Sequence, residues 1–291
     1  MNDIYLFVIG CGLLYWIIQY YPYQTTITET FLSLPTASFF NFFDEIYCRL
    51  YEKVFSADEI YQKECSLIFN KLAEYGKSTW NHGVELGSGT GRQTQFLRKG
   101  GPLLCVDAVS HMNQLAQVRN PELNFLTADF RRPGLVPPAT IDVVFLLEET
   151  LYLNHPTEQV IVLNEIRKWL KPGGILVLTV WDISNLDPSP REFSQFMKDT
   201  NPRHSVTYYE KLQHESWFLP QPTVGPGVFD YEERYTLELE NGTIKKKEEH
   251  HRLYFPPNRK TMMALLKQWK LIATINFSSI GINNREIFFL Q

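Results

Sequence analysis

Glu85, the alternating glycines Gly87, Gly89 and Gly91, and Asp107 are the residues of this 291-residue chain whose types and spacing could do chemistry together. They begin in Val84-Glu85-Leu86-Gly87-Ser88-Gly89-Thr90-Gly91-Arg92, an apolar run that breaks into glycines and then opens a helix-compatible stretch. Glycines at a strand-to-helix turn allow positive φ and let the backbone approach a bound molecule where a Cβ would collide with it. Twenty residues beyond Gly87, Leu103-Leu104-Cys105-Val106-Asp107 is a second apolar run that ends in a carboxylate. That is the pattern of a strand whose last residue accepts hydrogen bonds from ribose hydroxyls.

Several alternatives are excluded by the same residues. A nicotinamide or flavin fingerprint, Gly-x-Gly-x-x-Gly, needs a glycine where Arg92 stands, and no Gly-Lys-Ser or Gly-Lys-Thr follows to make a phosphate-binding P-loop. The four cysteines, Cys11, Cys48, Cys65 and Cys105, are scattered without metal-ligand spacing, so no metal site is expected and buried thiols in a reducing compartment are. A net charge of −4 offers no general attraction for nucleic acid, and the one basic run, Lys245-Lys246-Lys247, is followed at once by Glu248-Glu249, as on a solvated hairpin arm.

The motif around Gly87 resembles the first motif of class I S-adenosylmethionine-dependent methyltransferases, and further segments match in order. Val106-Asp107-Ala108-Val109-Ser110 is similar to the acidic second motif, Thr127-Ala128-Asp129-Phe130 to the adenine-contacting third, Ile141-Asp142-Val143-Val144-Phe145 to the fourth strand, and Leu170-Lys171-Pro172-Gly173-Gly174-Ile175-Leu176-Val177-Leu178 to the turn and fifth strand. The resemblance covers roughly residues 44 to 182. It implies S-adenosyl-L-methionine as cofactor, with Glu85 orienting the methionine ammonium, Arg92 pairing with the methionine carboxylate, Asp107 holding the ribose and Asp129 meeting the adenine amino group. Ser88, Ala108, Phe130 and Leu147 complete the implied contacts. Phe43-Asp44-Glu45-Ile46-Tyr47 and Tyr61-Gln62-Lys63-Glu64 resemble segments that cover the methionine end in glycine N-methyltransferase-like, small-molecule enzymes, so Tyr47 and Tyr61 are candidate contacts. Read without the resemblance, both belong to an aromatic core stripe.

The fold expected is α/β, a Rossmann-like seven-stranded class I methyltransferase sheet with an antiparallel hairpin insertion as substrate cap, preceded by one N-terminal membrane helix. The 44% apolar content is enough for one large core. Residues 1–24 read as a transmembrane anchor, because no charged side chain occurs between Asp3 and Glu29 and Ile4 to Tyr20 is almost wholly apolar, about one membrane span. A cleaved signal peptide is the competing reading, but Asp3 replaces a basic start and Gln19-Tyr20-Tyr21-Pro22 a small-residue cleavage site. The expected topology is single-pass with the catalytic domain facing the cytosol, where the cofactor is made. Residues 25–75 read as a helical lid region and 76–291 as the methyltransferase domain, with the insertion at about 183–260. Within it, Asn241-Gly242 is a strong hairpin signal; Thr261 to Trp269 reads as a helix, and Leu271 to Phe277 and Arg285 to Leu290 as closing strands.

The methyl acceptor is not legible. The Asn/Asp-Pro-Pro-Tyr/Phe tetrapeptide of DNA and protein amino-group methyltransferases is replaced by Leu146-Leu147-Glu148-Glu149-Thr150-Leu151-Tyr152. Glu148, Glu149 and Tyr152 are the candidates for catalysis: a carboxylate there could bind a cationic amine or take its proton, or simply cap a helix or face solvent. The leading expectation is a membrane-anchored enzyme acting on a small or lipid-associated molecule. A protein or RNA methyltransferase, or a cofactor-binding module without turnover, are the alternatives.

Overall fold

A computed structural model describes residues 47, 48, 50, 51, 58–181, 183, 204–209, 212–221, 223–238, 241–277 and 285–291, all within one compact unit, Phe42–Gln291. Its elements, in chain order, are α1 (Asp58–Glu74), β1 (Gly83–Leu86), α2 (Thr94–Leu97), β2 (Leu103–Asp107), α3 (Ser110–Arg119), β3 (Asn124–Thr127), β4 (Ile141–Leu146), α4 (Pro156–Trp169), β5 (Leu170–Trp181), β6 (His204–Tyr209), β7 (Leu212–Pro220), β8 (Val228–Glu238), β9 (Ile244–Tyr254), α5 (Arg259–Leu265), β10 (Leu271–Asn276) and β11 (Arg285–Leu290).

The seven-stranded sheet has the order β3-β2-β1-β4-β5-β11-β10. β1 to β5 are parallel, and β11 runs antiparallel between β5 and β10. The strand order reverses beside β1, so a crevice opens at the carboxyl ends of β1 and β4, where open parallel sheets take their ligands. Both faces are covered, which is why the central strands read as unbroken apolar runs rather than alternating ones. Val84, Leu86, Val144, Leu146, Leu176 and Leu178 point to one face, against Val162, Ile166 and Trp169 of α4. Their chain neighbours Cys105, Val143, Phe145, Ile175, Val177 and Phe289 point to the other, against Cys65, Ile68 and Leu72 of α1, spaced as one helical stripe. The α4 helix starts where His155 accepts from the Thr157 amide, Glu158 reaches back to the His155 amide, and Pro156 occupies the first turn.

The expected cap differs from the structure. In place of a single hairpin, a four-stranded antiparallel sheet β6-β7-β8-β9 is inserted between β5 and α5. The Asn241-Gly242 hairpin is present, with Glu238 opposite Ile244 and Gly242 at φ +78°. β7 escaped the sequence reading because its inward positions include His214 and Ser216, so burial there follows period two while hydrophobicity does not. The helix expected at Thr261 to Trp269 is also shorter and earlier, Arg259–Leu265, because Asn258 Oδ1 accepts from the Thr261 amide and sets its start. The anchor read at residues 1–24, and much of the lid, lie outside the described residues. Among the described residues, no helix is long and apolar enough to cross a membrane.

Candidate active site

The turn after β1 is tied down from two directions. The amides of Gly87 and Ser88 donate to the Val106 carbonyl at 2.7 and 3.3 Å, and at its far end Asn120 Nδ2 and Arg119 Nη1 donate to the carbonyls of Gly91 and Thr90 at 3.0 and 2.7 Å. Gly87 (φ +69°) has no room for a side chain, since a Cβ would lie 2.4 Å from Thr150 Cγ2 in the loop after β4. Gly89 (φ +53°) is the opposite case, for a Cβ there would meet nothing within 4 Å. One glycine therefore serves packing and the other leaves backbone bare toward open space.

Asp107, ending β2, accepts the Gly89 amide at 2.9 Å on Oδ2 and the Val109 amide at 2.8 Å on Oδ1. Each oxygen keeps acceptor capacity for a ribose hydroxyl. Burial pushes its carboxyl above the ordinary value against the opposing effect of those two amides. Glu85 lies beneath the turn, buried, with Thr94 Oγ1 donating to Oε2 at 2.6 Å; burial raises it to about 7, with Asp107 adding to the rise and Thr94 and Cys105 opposing it. Arg92 Nε donates to Asp58 Oδ1 of α1 at 2.9 Å, an arrangement the sequence reading did not contain. Asp129 is held in a fork by Arg131 Nε and Nη2, at 2.9 and 2.8 Å, and Arg131 continues to Glu158 at 2.7 Å. Phe130 and Leu147 are buried in opposite core faces, while Ala108 stays partly open and the Ser88 hydroxyl is buried without a hydrogen-bond partner.

Glu148 lies two residues beyond β4 and is one of two non-glycine residues with positive φ among the described residues, at +53°. That conformation is costly for a residue with a Cβ. Its amide donates to Thr179 Oγ1 at 3.0 Å and its Oε1 accepts from Arg285 Nη2 at 2.7 Å. The same Nη2 donates to Glu64 Oε1 of α1 at 2.5 Å. Burial, partly offset by Arg285, raises Glu64 to about 8; burial and Glu148 raise Glu149 to about 7, with Arg285 opposing. Tyr61 is buried beside this group, its hydroxyl pushed well up by burial, then by Tyr51, Glu148 and Glu64. Tyr152 is placed in the core: fully buried, it donates to the Thr179 carbonyl at 2.8 Å and packs on Phe255 at 4.6 Å.

Tyr47 belongs to a different assembly. Its hydroxyl donates to Glu233 Oε2 at 2.8 Å, while Glu233 Oε1 meets Tyr235 OH at 2.7 Å and His214 Nε2 at 2.9 Å. Glu233 is fully buried, and although burial works to raise it, His214 and His251 hold it down at about 2. Sequence reasoning missed Glu64, Arg285, Glu233 and both histidines. Glu64 lay in a quoted segment, but Arg285 opens a strand read only as closing the sheet and Glu233 is one acid in an alternating polar and apolar run, so neither carried a local signal of its partners.

The cradle fits an adenosine-bearing cofactor: a bare positive-φ backbone, an orphaned Ser88 hydroxyl and an acceptor at the end of β2 converge at one crevice. Fold and site together define a Rossmann-like α/β domain with a nucleoside-cofactor crevice at its switch point. Residues 84–178 match a family model described as a methyltransferase domain. The fold is similar to an S-adenosylmethionine-dependent methyltransferase from Clostridium acetobutylicum (TM-score 0.67, 14% identity, covering 84% of this chain and 97% of that one). It is also similar to an amino pentose methyltransferase from Micromonospora echinaspora involved in calicheamicin biosynthesis (0.60, 17%, 85% and 97%). A sugar N-methyltransferase from a Streptoalloteichus species gives 0.61, 17%, 84% and 91%. No curated protein matches the sequence. Residues 84–178 thus carry a methyltransferase domain, set in a fold shared with S-adenosylmethionine-dependent methyltransferases.

Proposed function

We propose that this enzyme methylates a small-molecule nucleophile held where the carboxyl ends of β1 and β4 meet the inserted sheet. The observation that carries the reading is the close approach of Thr150 to the glycine turn at Gly87, which supports a role for the neighbouring carboxylates Glu148 and Glu149 beside the cofactor. The small-molecule acceptors named for the solved relatives, an amino pentose and a sugar, support an acceptor of similar size. When bound, S-adenosylmethionine supplies an electrophilic methyl on a sulfonium for in-line displacement by the acceptor. The protein's part is chiefly positioning. Asp107 would accept from the ribose, the side-chain-free backbone at Gly89 would let the ligand approach closely, and Asp129, braced by Arg131, would meet the adenine amino group. Glu149, half-buried and raised to about 7, is suited to take a proton from an ammonium acceptor near neutral pH.

We also infer that residues 4–21 anchor the protein in a membrane with the catalytic domain in the cytosol, which makes a lipid-associated acceptor accessible. The uncharged stretch from Asp3 to Glu29 supports the anchor, and the buried thiols Cys65 and Cys105 suit a reducing compartment. Incubation of the enzyme with labelled cofactor and metabolite or lipid extracts tests the acceptor class. Label should pass to a small molecule; label confined to protein or RNA would replace this reading with a macromolecular one.

A further inference from the structure

Glu64, Glu148 and Glu149 come from α1 and from the loop after β4, and share one guanidinium. Arg285 is fully buried and gives the same Nη2 to Glu64 and Glu148, leaving Glu149 to feel it through space alone. Three acids against one base cannot all ionise without leaving negative charge uncompensated. The polar atoms are not all satisfied either. Glu64 Oε2, Arg285 Nε and Arg285 Nη1 are buried without a hydrogen bond of acceptable geometry, although the Gln93 amide lies near enough to favour the charged form of Glu64. Through Thr150 the loop carrying Glu148 and Glu149 presses on Gly87, so this group borders the cofactor turn.

We propose that Glu64 and Glu149, gathered with Glu148 around Arg285, act as a charge sensor that distinguishes the cofactor, a sulfonium cation, from its demethylated product, a neutral thioether, by releasing protons when the cation binds. The proposal rests on the methyl-transfer reading above. Cofactor and product share adenosine, ammonium and carboxylate, so the sulfonium charge is the difference between them. A cation brought against these acids favours their ionised forms, and the released protons pass to solvent. Once the methyl has left, the acids take protons back and lose their preference for the bound molecule.

The direction with pH follows from the groups that face one another here. From α1 these are Tyr61, Glu64 and Cys65; beside them stand Tyr51, then Glu148, Glu149 and Tyr152 around the β4 loop, Tyr231 of β8 and Arg285 of β11. Burial holds Tyr61, Cys65, Tyr152 and Tyr231 above their ordinary values and therefore neutral, and Arg285 is a fixed cation. Glu85, also near neutrality, faces Thr94 and Cys105 instead. Below about 7 to 8 the free enzyme holds protons on Glu149 and Glu64 that the cation must displace. Affinity for S-adenosylmethionine should thus fall more steeply than affinity for S-adenosylhomocysteine as pH drops through that range, since any response of Glu85 to the shared ammonium is common to both ligands.

Titration calorimetry of the full chain with each ligand, from about pH 6 to about pH 8 in buffers of different ionisation enthalpy, tests this. S-adenosylmethionine should release more protons than S-adenosylhomocysteine, and the ratio of their affinities should change by up to about tenfold per pH unit for each proton linked. Glu149→Gln should shrink the excess and Glu149→Asp retain it; if Glu149→Gln does not fold, the two ligands on the unaltered enzyme still decide. Equal proton release for both ligands overturns the sensor while leaving methyl transfer intact. Failure of both ligands to bind the folded enzyme overturns the methyl-transfer reading along with it.

Discussion

The backbone amide of Gly89 donates to the carboxylate of Asp107 at 2.9 Å, so the last residue of β2 holds the turn that follows β1. The carboxylate assigned to the ribose is also the clasp of the glycine turn. Cofactor binding and turn geometry are one arrangement at this residue.

Asp107→Ala removes both the clasp and the ribose acceptor. Hydrogen bonds to a charged group contribute about 1.5–3 kcal/mol each, so affinity for S-adenosylmethionine should fall at least about tenfold. Calorimetry should show this in a protein that still melts cooperatively.

The two glycines of opposite surroundings should respond oppositely to alanine. Gly87→Ala forces a Cβ onto Thr150 and should lower the melting temperature strongly. Gly89→Ala meets open space, so beyond about 1–2 kcal/mol of backbone strain its main effect should be weaker cofactor binding. Paired melting and binding measurements separate the two outcomes.

Glu64, Glu85 and Glu149 are raised from 4.5 to about 8, 7 and 7 respectively, so between the ordinary and raised values the folded enzyme binds more protons than the unfolded chain. Stability of the cofactor-free enzyme should therefore be greater near the ordinary value and fall as pH rises through the raised ones. Melting curves across that range should show a drop of several degrees, reduced by saturating cofactor.

Glu233 has the opposite sign. Held down at about 2 from 4.5, it contributes stability that is present above 4.5 and lost as pH falls toward 2. Glu233→Gln leaves the Tyr47, Tyr235 and His214 donors one acceptor oxygen where there were two and removes the charge they bind, and hydrogen bonds to a charged group contribute about 1.5–3 kcal/mol each. Thermal melting at neutral pH should register that loss.

The full chain should pellet with membranes and resist carbonate extraction, whereas a chain starting at residue 25 should be released. A mature chain beginning near residue 22, or a glycan on Asn241, would instead identify residues 1–24 as a cleaved signal.

The glycine turn, Asp107 and the strands β1, β2, β4 and β5 were legible in the sequence because their signals are local. Backbone freedom at Gly87 and Gly89, unbroken apolar runs and a carboxylate at a strand end are each written within a few residues. The resemblance added cofactor roles for Glu85, Arg92 and Asp129, yet the structure shows them held by Thr94, Asp58 and Arg131, partners that spacing alone did not suggest. What the tertiary structure alone decided is the charge environment of the crevice. Arg285 lies 221 residues from Glu64 and 137 from Glu148, and only the insertion of β11 between β5 and β10 brings them together. The inserted sheet was half hidden for a related reason: its interior is built from His214, Ser216, Glu233 and His251, whose burial depends on partners in other strands rather than on their own hydrophobicity. Local sequence sets which backbone can turn and which faces must be buried; which buried charges meet is decided by strand pairing over long separations.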